Sequence, residues 1–286
     1  MDEIYKRCVW AERCYIHDRK GELLHVQQMV LEHNGSPFCN THRRYFQNAF
    51  FSFAKAIGIK INLGVRVEEY FEGESEVGIL VEGVKRHADV VIGADGVHSR
   101  CRAFITGREE KATSSGYAIY RAWVPFSECQ KVPLCRDLLR GGDSMSLFIG
   151  PDTHGFIAVS EKMKIVVWFV THRDVHDIQE SYSLLGRKED VLGFISDWDP
   201  RFRALVNITP KDQLIDWKLL WRDPLQQWVS KCGRIAMLGD SAHPFLPTSG
   251  NGASQALEDA ATLALTLRLA GKADIPLATR AFEKLR

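Results

Sequence analysis

Apolar and polar residues follow two different spacings along this chain. Between residues 41 and 58, aromatic and aliphatic side chains recur at helical spacing, which predicts a helix capped by Thr41 and ended by Gly58. Between residues 253 and 270, apolar residues lie on nearly every side, which predicts a buried helix. Short β-forming runs separated by turn residues predict strands at 59–63, 65–70, 78–82 and 89–92, and a hairpin arm at 21–26.

The middle of the chain alternates in the manner of antiparallel strands. Residues 189–206 predict one helix, interrupted at Pro200. Two units of the order strand, Gly, Asp, helix flank this β-rich middle, one around Asp95 and one around Asp240. This order predicts a nucleotide-binding α/β layer interrupted by a second, sheet-based domain. The predicted strands of the middle are 117–124, 144–150, 155–160, 164–170 and 214–221.

The stretch from residue 233 to residue 260 carries the clearest candidate chemistry. An apolar run, 235–238, ends at Gly239-Asp240, and the prolines and glycines that follow exclude regular structure up to residue 252. A helix then begins. The free backbone N–H groups and the positive dipole end at a helix start attract negative charge. The stretch therefore predicts a binding site for an anionic cofactor.

Composition narrows the class of protein. The 286 residues are 45% hydrophobic and 26% charged with a net charge of +1, which is typical of a globular protein and does not favour a nucleic-acid partner. The apolar runs are too short for a membrane span, and the first residues do not resemble a signal peptide, so we expect a cytoplasmic protein. Seven cysteines without a CxxC pair favour reduced thiols. His172 and His176 lack a third ligand cluster, so no metal site is predicted.

Three short motifs occur in order: His42-Arg43 at a predicted helix start, Asp95-Gly96 after a predicted strand, and Gly239-Asp240 with its proline- and glycine-rich sequel. Together they resemble the FAD-dependent aromatic-ring hydroxylases, of the salicylate hydroxylase and fungal secondary-metabolite monooxygenase type. The match around Gly239-Asp240 extends over residues 223–271 and is the most specific. The resemblance implies an α/β fold, with an incomplete FAD-binding Rossmann-like layer and an inserted antiparallel-sheet substrate domain. The expected domains are 1–110 (FAD), 111–222 (substrate) and 223–286 (FAD, return segment).

The resemblance also implies a set of cofactor contacts. Asp240 is expected at the ribityl or pyrophosphate part of FAD, and the backbone of residues 250–253 at the flavin ring. Asp95 is expected near the pyrophosphate and the nicotinamide entry, and Arg43 at the phosphates or the flavin. Each residue has a simpler alternative: Asp240 and Asp95 as caps, and Arg43 as a solvated helix residue. The implied cofactor-binding residues are Arg43, Asp95, Gly239, Asp240, Pro247, Gly250, Asn251, Gly252 and Ala253.

Arg121 is the one residue that the resemblance suggests as catalytic. Its alternative role is that of an arginine on a strand edge. The tyrosine expected to accompany it is absent, and Ala158 lies nearest by register. His243 is interpreted as structural rather than as a base. Four aromatic residues, Phe148, Phe156, Trp168 and Phe169, are candidates for an aromatic pocket, although alternating aromatics are more often core residues.

The implied activity is that of a flavoprotein monooxygenase. NAD(P)H reduces the FAD, and O₂ supplies the oxygen atom that enters an aromatic or polyketide-derived substrate. Epoxidation of a terpenoid alkene is the alternative within the class, and a non-catalytic remnant is the alternative outside it. The family's N-terminal GxGxxG turn has no match here, so the chain is expected to begin after it. A truncated gene model, a fragment and a degenerate protein are all compatible with this pattern.

Overall fold

The computed structural model describes residues 2–38, 40–73, 76–175, 184–246 and 249–286. In chain order the helices are α1 (Asp2–Tyr5), α2 (Arg43–Ala56), α3 (Arg100–Thr106), α4 (Phe126–Cys129), α5 (Pro133–Leu138), α6 (Lys188–Phe194), α7 (Pro200–Ile208), α8 (Gly252–Ala270) and α9 (Ile275–Leu285). The strands are β1 (Cys8–Val9), β2 (Arg13–Asp18), β3 (Leu23–Gln28), β4 (Glu32–His33), β5 (Ser36–Pro37), β6 (Asn40–Thr41), β7 (Glu69–Glu72), β8 (Val77–Val81), β9 (Val84–Ala88), β10 (Val91–Gly93), β11 (Thr113–Pro125), β12 (Ser144–Gly150), β13 (Thr153–Ser160), β14 (Ile165–Arg173), β15 (Ile215–Trp221) and β16 (Ile235–Met237).

The chain forms two compact units. Unit 1 contains Met1–Ile61 and Gly116–Lys218, and unit 2 contains Asn62–Ser115 and Leu219–Arg286. The sequence groups residues 1–110 as one expected domain, whereas the contacts place residues 1–61 with the sheet. The reason is that β2 and β3 pair into that sheet. The α/β fold class predicted from the sequence is confirmed.

Unit 1 is built on a seven-stranded sheet with the order β15-β11-β14-β13-β12-β2-β3. β12 and β2 run parallel, and the other pairs with a described register run antiparallel. Alternate side chains point to opposite faces of a strand. One face buries side chains such as Tyr120, Phe148 and Trp168 against helices α4 to α7. Each such side chain contributes roughly 1.5–3 kcal/mol on burial.

Unit 2 contains the α/β layer. β10 and β16 run parallel, with Val91 opposite Ile235, and β7, β8 and β9 form an antiparallel sheet. The core of the unit packs Val77, Cys101 and Met237 against residues of α8 and α9. None of the described helices combines the length and the apolar content that crossing a membrane requires.

Helix α2 is capped by His42 and not by Thr41. The imidazole Nδ1 of His42 accepts the backbone N–H of Arg44 at 3.2 Å, whereas the hydroxyl of Thr41 donates to the carbonyl of Arg7 at 2.5 Å. The predicted end at Gly58 is confirmed. Its φ of +81° suits glycine, and its N–H donates to the carbonyl of Lys55.

The predicted strand at residues 59–63 does not form. These residues have no regular structure and pair with none of the described strands. Ile59 and Leu63 are 55% and 74% exposed, so their alternation has no buried face that would favour a strand. The next strand, β7, begins at Glu69 and not at residue 65.

The interruption predicted at Pro200 within residues 189–206 is found, and it separates two helices: α6 ends at Phe194, and Pro200 begins α7, which Asp199 caps by accepting the N–H of Arg201. The prediction for the helix after residue 252 needs correction. Helix α8 is present, but it is not buried: Leu265 and Leu269 are 54% and 77% exposed. Among its described neighbours in unit 2, α9 covers one side of α8 and leaves these leucines uncovered.

Candidate functional site

The loop after β16 takes its shape from its first glycine. The side chains of β16 are fully buried, and Gly239 follows with a φ of +58°, in the region that strains other residues. A Cβ atom at Gly239 would lie 3.1 Å from the Cβ of Ala256. Glycine therefore allows the chain to turn closely against α8. We call residues 239–253 the glycine–aspartate loop.

The side chain of Asp240 lies beside the first residue of α8. It is exposed, and a Cβ atom at Gly252 would lie 3.8 Å from its Oδ1. Asn251 caps α8 without a side-chain hydrogen bond, and Gly250 has a φ of +67°. Unit 2 thus brings together the carboxylate, the glycines and the positive end of a helix, as the sequence predicts. Ala253 belongs to the first turn of α8, and Pro247 lies outside the described residues.

A buried carboxylate holds the base of this loop. Asp259, on α8, is 0% exposed. It accepts the backbone N–H of Gly239 at 2.8 Å, Nε2 of His243 at 2.6 Å and Nε of Arg286 at 2.7 Å. A buried carboxylate requires such partners. His243 therefore supports the loop, in line with its structural interpretation. Asp259 was not predicted from the sequence, although an acid within a mostly apolar helix is a usable signal.

The carboxylate of Asp95 accepts the hydrogen bonds that hold the turn before α3. Burial opposes its ionisation, but hydrogen bonds outweigh this effect and lower the pKa of the carboxyl group. This geometry is that of a carboxylate that caps the start of a helix, which is the simpler alternative given for Asp95. A contact between Asp95 and the cofactor stays a prediction. The donors to Asp95 are the hydroxyls of Ser99 (2.5 Å), Ser241 (3.1 Å) and Tyr70 (3.3 Å) and the N–H groups of Arg100 (2.8 Å) and Cys101 (3.2 Å).

Two side chains join the segment around Asp95 to the glycine–aspartate loop within unit 2. Ser241 donates to Asp95 and accepts the backbone N–H of Gly96 at 2.9 Å. Arg102, 2% exposed, donates to the carbonyl of Ala242 at 3.1 Å. The two strand–Gly–Asp units found in the sequence are therefore joined by hydrogen bonds in the structure.

Arg43 lies in unit 1, as the first residue of α2, and its side chain is exposed. The neighbouring His42 has a lowered pKa because burial and the charges of Arg121, Arg43 and Arg44 disfavour the imidazolium. A neutral imidazole is also what the cap requires, since Nδ1 accepts a hydrogen bond. The contact of Arg43 with FAD stays a prediction.

Arg121 lies on the sheet face opposite the helices. Its neighbours Tyr120 and Ala122 are in the core, so Arg121 points the other way. The guanidinium of Arg121 lies 5.8 Å from the centre of the Trp217 ring. On the neighbouring strand β14, Phe169 is the residue paired with Arg121. Phe169 stacks on Phe156 at 5.1 Å. We call the half-buried residues Trp217, Arg121, Phe169 and Phe156 the aromatic row.

The other aromatic candidates belong to the core. Phe148 and Trp168 are 1% and 0% exposed and face helices α4 to α7, because they alternate with Leu147 and Phe169 along their strands. Ala158, the position nearest to the missing tyrosine, is 9% exposed and packs with Met145. No hydroxyl from this position can therefore assist Arg121.

A polar cluster that the sequence did not indicate lies behind the aromatic row. Tyr120 stacks on His172 with ring centres 4.2 Å apart, and Nε2 of His172 lies 3.1 Å from Oδ1 of Asp216. Burial, and then the charge of Asp216, raises the pKa of Tyr120. The three residues lie on β11, β14 and β15, so they fix these strands beneath Arg121 and Trp217.

Within the described ranges, no group of three or more His, Cys, Asp or Glu side chains is placed to hold a metal ion. His172 binds Asp216 instead. His176 lies outside the described residues.

Comparison with known proteins identifies the class. A family model described as an FAD binding domain matches residues 10–278, and the chain belongs to this family. It is 38% identical over 251 residues to the FAD-dependent monooxygenase nodY2 of Hypoxylon pulicicidum, covering 86% of this chain and 54% of the relative. It is 37% identical over 253 residues to the Asperlicin C monooxygenase of Petromyces alliaceus, covering 85% and 54%. The chain thus spans about half the length of these curated relatives.

Solved structures share the fold. The complex of CtdE with FAD and a substrate matches with a TM-score of 0.92 and 33% identity, over 100% of this chain and 70% of that one. A salicylate hydroxylase substrate complex matches with a TM-score of 0.77 over 98% and 70%, and at 23% identity it shows the fold alone. The family resemblance inferred from the three motifs is confirmed.

The hydrogen-bonding groups of the glycine–aspartate loop suit FAD. A helix start favours the negatively polarised atoms of a dinucleotide. Gly250 and Gly252 permit close backbone approach because neither carries a side chain; a Cβ atom at Gly250 would have no described atom within 4 Å, and one at Gly252 would lie 3.8 Å from Oδ1 of Asp240. The exposed carboxylate of Asp240 is an acceptor for ribityl hydroxyl groups.

Proposed function

We propose that this protein is an FAD-dependent monooxygenase that uses NAD(P)H and O₂ to hydroxylate an aromatic or polyketide-derived small molecule. The observation that carries the proposal is the glycine–aspartate loop: an exposed Asp240 at the start of α8, on a turn clamped by Asp259. The names of two relatives, an FAD-dependent monooxygenase and the Asperlicin C monooxygenase, support the class of reaction.

Each part of the chain has its own task in this proposal. Asp240, Gly239 and residues 250–253 hold FAD, with Arg43 and Asp95 as further contacts. When bound, FAD supplies the redox chemistry that connects NAD(P)H and O₂ to the substrate. Asp259 keeps the loop in position, so that the backbone N–H groups at the start of α8 are oriented before the cofactor arrives.

The aromatic row supports an aromatic substrate. Phe156 and Phe169 offer stacked rings, and Arg121 offers a fixed cation suited to an aryl carboxylate or phenolate. Arg121 then orients the substrate and stabilises negative charge on its oxygen. An alkene of a terpenoid needs no such cation, so the row favours hydroxylation of an aromatic substrate over epoxidation.

The test is direct. The purified chain is titrated with FAD, and bound flavin is followed by its absorbance and by fluorescence quenching. We expect saturable binding that Asp240→Ala weakens about tenfold, through the loss of one charged hydrogen bond. Asp274→Ala, at the cap of α9, is the matched control and leaves the affinity unchanged. A folded chain that ignores FAD overturns the proposal and supports the non-catalytic remnant.

A further inference from the structure

The sheet face that carries the aromatic row also carries a histidine that the proposed function does not use. His154 lies on β13 two residues before Phe156, so both side chains stand on the same face. The ring of His154 meets Phe169 edge to face, with ring centres 6.2 Å apart. Phe169 is paired with Arg121 on one side and with Phe156 on the other. His154 is therefore a polar group beside the row, across the strand of Phe169 from Arg121.

The hydroxyl of Thr171 holds one nitrogen of this histidine. Thr171 is 2% exposed, and its Oγ1 lies 2.9 Å from Nδ1 of His154. The same oxygen accepts the backbone N–H of His154 at 3.1 Å and donates to the carbonyl of His154 at 3.2 Å. A hydroxyl has one proton and two lone pairs, so the remaining lone pair accepts a proton from Nδ1. These contacts assign the imidazole proton to Nδ1 and leave Nε2 as an acceptor.

The other ring nitrogen, Nε2, faces no competing partner. It makes no hydrogen bond to the described residues, and it is not one of their buried unpartnered atoms, so it is open to solvent. Burial of the half-buried ring lowers the pKa of His154, so the imidazole is neutral at neutral pH. A neutral ring whose tautomer is fixed offers one directed acceptor beside an apolar surface.

We propose that His154 is a specificity-determining residue, which accepts a hydrogen bond from a hydroxyl or N–H group of the aromatic substrate. This role rests on the proposed function, which places a substrate oxygen at Arg121. Two strands and two residues separate Arg121 from His154, so their Cα atoms are about 12 Å apart on one face of the sheet. A fused aromatic ring system with an anionic oxygen at one end and a hydrogen-bond donor at the other suits this spacing.

Calorimetric titration of the purified chain, in the presence of FAD, compares three acids: 6-hydroxy-2-naphthoic acid, 6-methoxy-2-naphthoic acid and 2-naphthoic acid. All three bring a carboxylate to Arg121, but only the hydroxy acid can donate to Nε2. We expect the hydroxy acid to bind about tenfold more tightly than the other two, the value of one hydrogen bond. The inference is overturned if the hydroxy acid does not bind, or if the methoxy acid binds as tightly.

His154→Phe keeps an aromatic ring against Phe169 and removes both nitrogens. We expect the three acids to bind this variant within about twofold of one another, with the FAD affinity unchanged. His25→Phe replaces an exposed histidine on β3 of the same sheet and is the matched control, which keeps the preference for the hydroxy acid. Arg121→Gln weakens all three acids alike, because it acts on the carboxylate that they share. Retention of the preference in His154→Phe refutes the role of His154.

Thr171→Val tests how His154 is held. The nitrogen NMR shifts of the imidazole report its tautomer, and we expect the Nδ1–H form in the wild type and its loss in the variant. The preference for the hydroxy acid falls about threefold in parallel, because Nε2 is no longer a fixed acceptor. An Nε2–H form in the wild type overturns the inference, even if Thr171→Val does not fold.

FAD titration of the same samples separates this inference from the proposed function. A chain that prefers the hydroxy acid but ignores FAD loses the proposed function and keeps the role of His154 in ligand recognition. A chain that binds FAD and turns over an aromatic substrate, but shows no preference that depends on His154, keeps the proposed function and loses this role.

Discussion

Ser241 Oγ lies 3.1 Å from Oδ1 of Asp95, although the two residues are 146 positions apart in the chain. The same oxygen accepts the backbone N–H of Gly96 at 2.9 Å. One hydroxyl of the glycine–aspartate loop therefore bonds two consecutive residues at the start of the turn before α3. Removal of this hydroxyl leaves a part-buried carboxylate oxygen and an amide with fewer partners.

We expect Ser241→Ala to lower the free energy of unfolding by about 1–3 kcal/mol. Urea denaturation followed by circular dichroism measures this change. Ser249→Ala, in the same loop but exposed, is the control and changes stability by less than about 0.5 kcal/mol. Equal effects of the two substitutions contradict the role given to the Ser241 hydroxyl.

The lowered pKa of Asp95 predicts a loss of stability in acid. Hydrogen bonds to the carboxylate stabilise the fold when Asp95 is ionised, so its contribution is complete above the unfolded-state pKa of about 4. The contribution is lost as the pH falls through the folded-state pKa. We expect urea denaturation between about pH 6 and pH 2 to show a steeper acid loss for the wild type than for Asp95→Asn. Parallel curves for the two proteins exclude this linkage.

Asp259→Asn tests the clamp beneath the loop. The amide cannot satisfy Gly239, His243 and Arg286 together, so we expect a loss of about 3 kcal/mol in unfolding free energy and weaker FAD binding. Glu258→Gln is the matched control, because Glu258 also contacts Arg286 but is 56% exposed. If Asp259→Asn and Glu258→Gln both bind FAD like the wild type and melt at the wild-type temperature, then Asp259 does not hold the loop in position.

A pair of glycine substitutions separates backbone strain from close packing. Gly239→Ala and Gly250→Ala both place a side chain at a positive φ, a strain of about 1–2 kcal/mol. Gly239→Ala also forces a Cβ atom to 3.1 Å from Ala256, which adds about 1–3 kcal/mol, whereas Gly250 has no described atom within 4 Å. In thermal unfolding, we expect Gly250→Ala to melt at a higher temperature than Gly239→Ala. The reverse order contradicts the packing argument.

Arg121→Gln tests the substrate side of the proposed function. We expect turnover of an aromatic substrate by the FAD-loaded protein to fall about 100-fold, with the FAD affinity unchanged. The measurement is substrate-dependent oxygen uptake, with flavin binding followed in parallel. Arg173→Gln, on the neighbouring strand and 63% exposed, serves as the control. Full activity of Arg121→Gln would remove this residue from the proposal.

Local sequence patterns predicted much of the fold correctly. The strand predicted at residues 144–150 is found with the same bounds, and the helix before Gly58 and the Gly–Asp loop are where the sequence placed them. Alternation and turn chemistry act between near neighbours, so they can be read in one dimension. The strand predicted at 59–63 and the burial predicted for α8 were wrong because both depend on which distant segment covers the residues.

The sequence by itself determined many of the elements and the family of this protein, because spacing, glycines and motifs are local properties. The tertiary structure decided which side chains support the candidate site. Asp259 beneath Gly239, Ser241 on Asp95, and His172 with Asp216 behind Arg121 are contacts between residues 20 to 146 positions apart. A buried polar group must find its partner in space, and no periodicity along the chain encodes that partner.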